Sequence, residues 1–251
     1  MQLIDSHCHL SDARVTPHIN EVIARSRAAK VNEWVVPTAQ AGEWKGLANL
    51  ARRFDGLHAA YGIHPWYCEG HDDADLQALR ERLAGAVALG ECGLDFGPGR
   101  PDEDTQREWL RKQLELAGEL NIPVILHANK SLDGVMHELK SFPDLRGVVH
   151  GFAGSRQQAD QLLAMGYHLG IGTRIARPEA DRFRELVREL PIERICIETD
   201  SPDQALPGHP GTYNEPAALI GVLDALAEVR RLPAEQMAER CNANAREVFR
   251  L

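Results

Sequence analysis

The sequence contains no long hydrophobic run, and this absence limits its relation to membranes. Apolar stretches are interrupted after a few residues by a charge or a turn residue, so no transmembrane helix fits. Residues 1–10 (MQLIDSHCHL) also lack the basic and apolar regions of a signal peptide. We therefore expect a globular chain that does not contact a membrane.

Cysteine is scarce and is not arranged in pairs. The five cysteines are odd in number and scattered along the chain, and they form no Cys-x-x-Cys motif. This pattern is typical of reduced thiols rather than of a disulfide scaffold. We therefore expect a cytoplasmic protein.

Positive charge is deficient. Lysine and arginine total 28 against 37 aspartates and glutamates, which gives a net charge of −9. An acidic surface repels polyanions, whereas a protein that holds nucleic acid by neutralising many phosphates is usually basic. If the substrate is a nucleic acid, bound cations must supply the local positive charge.

The chain does contain a regular succession of short β-type and longer helical segments. Its 251 residues are 43% hydrophobic and 26% charged, an ordinary globular composition. Eight segments are mostly rich in Val, Ile and Leu without clean alternation, which is typical of parallel strands covered on both faces. The predicted strands are Gln2–His7, Glu33–Thr38, Leu57–Ile63, Ala86–Gly90, Pro123–His127, Gly147–His150, Tyr167–Ile171 and Arg194–Glu198.

Helical patterns lie between the predicted strands and after the last one. They cover Ile19–Lys30, Trp44–Arg53, Ala74–Leu83, Glu103–Leu120, Leu132–Lys140, Ser155–Met165, Pro178–Leu190, Glu215–Val229 and Pro233–Phe249. Strands that alternate with helices in this number predict an α/β fold, the TIM-type (β/α)8 barrel, which takes about 250 residues. A doubly wound sheet is the alternative, but no Gly-rich dinucleotide loop follows the first strand. We interpret residues 1–251 as a single domain in which Gly97–Arg100 and Leu206–Tyr213 are loops.

Polar residues cluster at the carboxyl ends of the predicted strands, where barrel enzymes place their chemistry. Six of them are ordinary metal ligands, four imidazoles and two carboxylates: His7, His9, Glu91, His127, His150 and Asp200. Each one alone has a structural explanation, as a core histidine or a helix cap. Burying all of them without a metal would cost heavily in desolvation, so their convergence predicts a metal centre.

The spacing of His7 and His9 supports a shared ion. Residues i and i+2 of a strand point the same way, about 6–7 Å apart, so both imidazoles can reach one position. Cys8 then points away, toward the helix layer, and the same alternation turns Cys92 away from the side of Glu91. We expect both thiols to be packing residues rather than ligands.

Several segments resemble the TatD family of metal-dependent hydrolases, in order and over essentially the whole chain. They are Ile4–Leu10, Gly62–Pro65, Gly90–Asp95, Pro123–His127, Glu198–Pro202 and Asn242–Phe249. The segments His150–Ser155, Leu169–Thr173 and Asp200–Asp203 resemble the YjjV-like branch of that family most closely. The resemblance implies an amidohydrolase-like TIM barrel with two divalent metal ions that acts on phosphodiesters, as deoxyribonucleases do, although some relatives deacylate mischarged tRNA.

The resemblance also implies how the candidate ligands divide between two ions. The first ion would be held by His7, His9, Glu91 and Asp200. The second would be held by Glu91, His127 and His150, so that Glu91 bridges. A hydroxide shared between two cations is a good nucleophile at phosphorus, and Asp200 is the expected catalytic proton acceptor. Mixed nitrogen and oxygen ligands fit Zn, Mn, Co or Ni and do not exclude Mg.

Two further points concern residues around the ligands. Many family members follow the fifth-strand histidine by x-Arg, a candidate phosphate contact, whereas this chain has Asn129. Lys130 or Arg174 is then the candidate replacement cation, and we take His64, Asn129 and Arg174 as candidate substrate-binding residues. Glu198 is the alternative base to Asp200, but we expect it to pair with a neighbouring basic side chain.

These features favour a metal-dependent phosphodiesterase or deoxyribonuclease that acts on short or single-stranded DNA or on a small phosphodiester. The alternative is an amide or ester hydrolase of the amidohydrolase type, including a D-aminoacyl-tRNA deacylase. Such enzymes often bridge their ions with a carboxylated lysine, whereas the predicted bridge here is Glu91. A third hypothesis is a barrel that only binds a ligand, against which the complete ligand set argues. The sequence indicates no obligate protein partner.

Overall fold

The computed structural model describes residues 2–208 and 213–251. Within these ranges the strands are Leu3–Asp5 (β1), Val31–Val36 (β2), Leu57–Tyr61 (β3), Ala88–Asp95 (β4), Val124–Asn129 (β5), Gly147–Val149 (β6), His168–Ile171 (β7) and Ile195–Ile197 (β8). They form one eight-stranded sheet in the order β1 to β8, and each strand pairs in parallel with its sequence neighbour.

The first and last strands meet, which closes the sheet into a barrel. The Ser6 amide donates to the Ile197 carbonyl at 3.0 Å. The buried carboxylate of Asp5 accepts hydrogen bonds from the Thr199 amide at 3.0 Å and from its hydroxyl at 2.6 Å. These contacts hold the carboxyl ends of β1 and β8 side by side. The predicted TIM-type (β/α)8 fold is confirmed.

Helices alternate with the strands and cover the outside of the sheet. They are Ile19–Ala28 (α1), Ala41–Arg53 (α2), Asp73–Leu83 (α3), Glu103–Leu120 (α4), Leu132–Leu139 (α5), Arg156–Ala164 (α6), Asp181–Glu189 (α7), Leu219–Arg230 (α8) and Ala234–Phe249 (α9). None of the helices in the described ranges is both long and apolar enough to span a membrane.

Apolar side chains pack on both faces of the sheet. The larger cluster lies between sheet and helices and includes Cys8 and Cys92, as expected for packing thiols. The smaller cluster contains Ile4, Ile125 and Val148, with residues of α9 packed against them. Because side chains alternate along a strand, this second cluster fills the interior of the barrel.

The main difference from the predicted strands concerns β4. It runs to Asp95 instead of ending at Gly90, because Cys92–Asp95 remain paired with β5. Glu91 therefore lies inside a strand rather than just after one. Glu91 itself lies at a break in the pairing with β5, between Leu89 and Cys92, and its amide donates to the Thr38 carbonyl at 3.0 Å.

Smaller differences occur at helix starts and loops. The prediction of Pro178 in a helix is wrong, because residues 177–180 form a turn and α7 begins at Asp181. Gly97–Arg100 is a loop, as predicted. The described part of Leu206–Tyr213 has no helix or strand, and its residues 209–212 lie outside the described ranges.

Candidate metal centre

The sequence-predicted ligands meet at the carboxyl end of the barrel. Two follow β1, one lies in β4, one in β5, one follows β6 and one follows β8: His7, His9, Glu91, His127, His150 and Asp200. Strand alternation explains part of this convergence. His127 and His150 lie two positions after the interior residues Ile125 and Val148, so they face the same interior nearer the barrel mouth.

One group of donor atoms surrounds the imidazoles of His7 and His9. Their Nε2 atoms are 3.1 Å apart. Glu91 Oε2 lies 3.3 Å from each of these nitrogens. Asp200 Oδ1 lies 3.4 Å from His7 Nε2 and 3.5 Å from His9 Nε2. These four side chains are the set expected to hold the first ion.

A second group lies on the other side of Glu91. Its Oε1 atom is 2.9 Å from His127 Nδ1 and 2.8 Å from His150 Nε2. The two imidazole nitrogens are 3.1 Å apart. Glu91 thus directs one carboxylate oxygen to each group, which is the arrangement expected of a bridging ligand.

His64 also approaches Glu91, with Nε2 at 3.4 Å from Oε1. Its Nδ1 accepts the backbone amide of Trp66 at 3.1 Å. Burial lowers the pKa of His64 to about 4, helped by the charge of His127. A neutral ring whose Nδ1 accepts a hydrogen bond carries its proton on Nε2. His64 Nε2 therefore faces Glu91 with its proton when no ion is bound. The donor atoms of His64, Glu91 and His127 also lie close enough together to form a third candidate ligand group.

The buried carboxylates explain why cations fit this site. Burial alone would raise the pKa of Glu91, but the surrounding imidazoles, led by His150, hold it well below its ordinary value. Burial would likewise raise the pKa of Asp200, and its hydrogen bonds with His7 and His9 lower it instead. Burial would lower the pKa of His9, yet Asp200 and Glu91 raise it to about 10. The site stabilises positive charge, which a divalent cation with N and O ligands supplies.

Asp200 is held at both oxygens. Its Oδ1 faces His7 and His9, and its Oδ2 accepts a hydrogen bond from Gln204 Nε2 at 2.6 Å. Its backbone lies in the left-handed region, with φ of 53°, which is uncommon for a non-glycine residue. Gln204 was not predicted from the sequence, since nothing in its local pattern marks it.

Asp95 is a second residue beside the candidate ligands that was not predicted from the sequence. Its Oδ2 lies 3.2 Å from His127 Nε2 and accepts the indole N–H of Trp66 at 2.6 Å. Its Oδ1 accepts from Asn129 Nδ2 at 3.0 Å. Burial would raise the pKa of Asp95, but the hydrogen bonds from His127 and Trp66 lower it. Asp95 thus orients His127, as carboxylates behind metal-binding histidines do.

Glu198 lies behind the other candidate ligand of the second group. Its Oε1 accepts the Gly151 amide at 2.5 Å and is 3.6 Å from His150 Nδ1. A Cβ at Gly170 would overlap the Glu198 carboxylate, so glycine leaves the space that this side chain needs. Glu198 is completely buried and lies beside a histidine, and its structural role stays a prediction.

Most of the candidate ligands line a cavity of about 410 Å³ at the barrel mouth. Two of the predicted substrate contacts, His64 and Asn129, line it together with Trp66. A neighbouring cavity of about 420 Å³ shares Asn129 with the first and adds Lys130. Arg174 is not brought to either cavity, because its guanidinium stacks over Phe183, 5.2 Å from the ring centre.

A closed (β/α)8 barrel with histidine and carboxylate donors converging at its carboxyl end defines the class of metal-dependent hydrolase barrels. The sequence pattern of the family described as TatD related DNase matches residues 4–250. The chain belongs to the TatD family of metal-dependent hydrolases.

Individual relatives agree with this assignment. The uncharacterized metal-dependent hydrolase YjjV of Escherichia coli K12 is 36% identical over 253 residues, which cover 99% of this chain and 98% of the relative. The 3'-5' ssDNA/RNA exonuclease TatD of Erwinia billingiae is 32% identical, with 99% of each chain covered. The crystal structure of E. coli YjjV superposes with a TM-score of 0.92 at 34% identity, over 99% of this chain and 98% of that one.

Proposed function

We propose that this chain is a divalent-metal-dependent phosphodiesterase that cleaves nucleic acid, with short or single-stranded DNA as its substrate. The observation that carries the proposal is Glu91, whose two oxygens face two adjoining groups of donors at the floor of one cavity. The exonuclease name of the Erwinia relative and the DNase description of the family support the same chemistry.

Two ions per chain fit the donor set, which mixes imidazole and carboxylate as Zn, Mn, Co, Ni or Mg sites do. The first set of ligands is His7, His9, Glu91 and Asp200. The second set is Glu91, His127 and His150. When bound, such cations lower the pKa of a water molecule and neutralise the charge that develops on a phosphoryl oxygen.

The chain's own residues position and move protons around these ions. Asp200 is ionised, faces the ligand cluster with Oδ1 and is restrained at Oδ2 by Gln204, so it can accept a proton at a defined place. Asp95 contacts His127 Nε2 at 3.2 Å, and Glu198 lies 3.6 Å from His150 Nδ1. His64 Nε2 lies 3.4 Å from Glu91 Oε1, close enough to influence the orientation of that carboxylate.

We also propose that the protein works in the reducing environment of the cytoplasm. All five cysteines are unpaired and buried. Burial raises the pKa of Cys8 and of Cys92 above the ordinary thiol value, which makes both poor nucleophiles.

The test of the proposed function is to load the purified protein with each divalent metal and to measure its metal content and hydrolysis. Up to two ions per chain are expected, with cleavage of single-stranded DNA. Glu91→Ala should empty both positions because one carboxylate serves both, whereas His9→Ala should affect the first more than the second.

Asp224→Asn is a suitable control, since Asp224 is exposed on α8 and away from the cavity. Ester and D-aminoacyl-tRNA substrates belong in the same assay. Faster turnover of those esters than of any phosphodiester, or failure to take up any divalent metal, would overturn the proposal.

A further inference from the structure

Trp66 is an exposed aromatic side chain beside the metal centre. It lines the 410 Å³ cavity and is 42% exposed. The other tryptophans, Trp34, Trp44 and Trp109, are at most 6% exposed. Exposing an indole forfeits the free energy that its burial would provide, so an indole at the mouth of a cavity indicates a binding surface.

The indole is held rigidly. Its Nε1 donates to Asp95 Oδ2 at 2.6 Å, and the Trp66 backbone amide donates to His64 Nδ1 at 3.1 Å. Asp95 and His64 in turn contact His127 and Glu91 of the metal centre. The ring is therefore positioned relative to the candidate ligands before any substrate arrives, which reduces the entropy lost on binding.

Arg100 stacks on this ring. Its guanidinium carbon lies 3.7 Å from the indole centre, and its Nε lies 3.6 Å from Asp95 Oδ2. Among the described residues, this Nε has no hydrogen-bond partner. Asn129 binds the other oxygen of Asp95 but carries no charge. Arg100 therefore places a positive charge against Trp66, which neither Asn129 nor the distant Arg174 supplies. Arg14, the arginine that lines the cavity, is already paired with the carboxylates of Asp12 and Asp203.

We propose that Trp66 and Arg100 form a subsite that stacks one unpaired nucleobase of a single strand and places the neighbouring phosphate against the guanidinium. Flat bases stack on indole rings and on guanidinium planes, and an unpaired base has free faces that a base in a duplex lacks. The subsite thus selects single strands. It rests on the proposed function, whose substrate it specifies.

The first test uses fluorescence, because Trp66 is the exposed tryptophan. Short oligothymidylate is titrated into metal-loaded protein carrying Asp200→Asn, which slows cleavage. We expect the oligonucleotide to quench tryptophan emission in this protein. Adding Trp66→Phe should remove the quenching, while the anisotropy of a labelled oligonucleotide still reports binding. Quenching that is absent at the start, or that persists in Trp66→Phe, would overturn the proposal.

The second test separates stacking from the hydrogen bond to Asp95. Trp66→Ala should raise KM for single-stranded DNA by roughly 5- to 150-fold, the range measured for loss of one base stack. Trp66→Phe loses the indole N–H but keeps a flat ring, so its KM should stay near the wild-type value. Equal KM increases in both variants would assign the effect to Asp95 and refute stacking.

Abasic oligonucleotides provide the substrate-side control. A strand lacking its bases has nothing to stack, so Trp66→Ala should not weaken its binding further. An equal loss of binding for abasic and ordinary oligonucleotides would contradict the subsite. Leu120→Ala, at a similarly exposed apolar residue on α4, should leave KM unchanged.

If wild-type protein cleaves no nucleic acid, the proposed function fails, whereas the quenching titration still decides the subsite.

Discussion

Asp200 combines two roles that a single substitution can separate. One oxygen lies among the candidate ligands, and the other is bound by Gln204. Replacement by asparagine retains the size and one oxygen, but an amide cannot accept a proton as a carboxylate does. The remaining candidate ligands would still hold the ions.

We therefore expect Asp200→Asn to lower kcat by about 10²–10⁴-fold, the usual contribution of a general base, with most of the metal retained. Steady-state kinetics and elemental analysis of the same preparation measure the two quantities. Full kcat with both ions bound would exclude Asp200 as the proton acceptor and move attention to Glu198.

His168 provides a residue-level prediction about stability. It is buried at the start of β7, and burial together with the charge of Arg194 lowers its pKa from 6.5 to about 4. The unfolded chain therefore binds a proton at a higher pH than the folded chain. The stability that depends on neutral His168 is complete above the ordinary pKa and is lost as pH falls toward 4.

As pH falls from neutral to 4.5, the unfolded chain binds a proton at His168 that the folded chain largely excludes. This difference should lower the free energy of unfolding by up to about 2–3 kcal/mol. His168→Leu should remove that part of the pH dependence, as measured by urea unfolding of both proteins at each pH. Parallel losses in wild type and variant would show that other groups cause the acid sensitivity.

At the level of elements, side chains of α9 form hydrogen bonds that connect the end of the chain to the barrel. Asn242 Oδ1 accepts the Ile4 amide at 3.0 Å. Asn244 Nδ2 donates to the carbonyls of Ile192 and Ile195 at 2.7 Å and 2.8 Å. These two side chains connect one helix to the starts of β1 and β8, the strands that close the barrel.

Asn244→Ala leaves two carbonyls without this donor and should lower the free energy of unfolding by about 1–3 kcal/mol. Asn49→Ala is the matched control, because Asn49 is exposed on α2. Replacing asparagine by alanine raises helix propensity equally at both positions. Urea unfolding followed by circular dichroism compares them. An equal effect of both substitutions would mean that the contacts to β8 contribute nothing.

At the level of the whole molecule, we expect the net charge of −9 to confine nucleic acid contacts to the cavity. Arg14 and Lys130 line the two cavities at the barrel mouth, and Arg100 lies against Trp66 beside them. These side chains, with the proposed cations, would attract phosphates there, whereas an acidic surface repels them. Long duplex DNA should therefore bind poorly.

The logarithm of the association constant should fall with the logarithm of salt concentration at a slope equal to about one to three phosphate contacts. Anisotropy of a labelled single strand at several salt concentrations measures this slope. Arg100→Gln should reduce it by about 0.7, the value for one phosphate of a single strand. A slope equal to about six contacts or more would show an extensive basic surface that the charge excludes.

Much of this fold follows from local sequence patterns. The eight strands, their order and the closing helices were predicted because apolar runs and helical periodicity depend on neighbouring residues only. The end of β4 was not predicted, because its pairing with β5 beyond Gly90 is a contact between segments that are distant in sequence. The start of α7 was misplaced because Pro178 is compatible with both a first helical turn and a preceding loop.

The candidate ligands could also be selected from the sequence, because they follow strand positions whose direction the alternation of side chains determines. Their surroundings could not. Asp95 reaches His127 and Trp66 across 32 and 29 positions of sequence, and Arg174, expected at the site, stacks on Phe183 instead. The sequence by itself therefore determined the barrel and its ring of candidate ligands. Only the tertiary structure decided which oxygen of Glu91 faces His7 and His9 and which faces His127 and His150. It also decided which side chains contact the candidate ligands, because those contacts depend on how the closed barrel brings remote loops together.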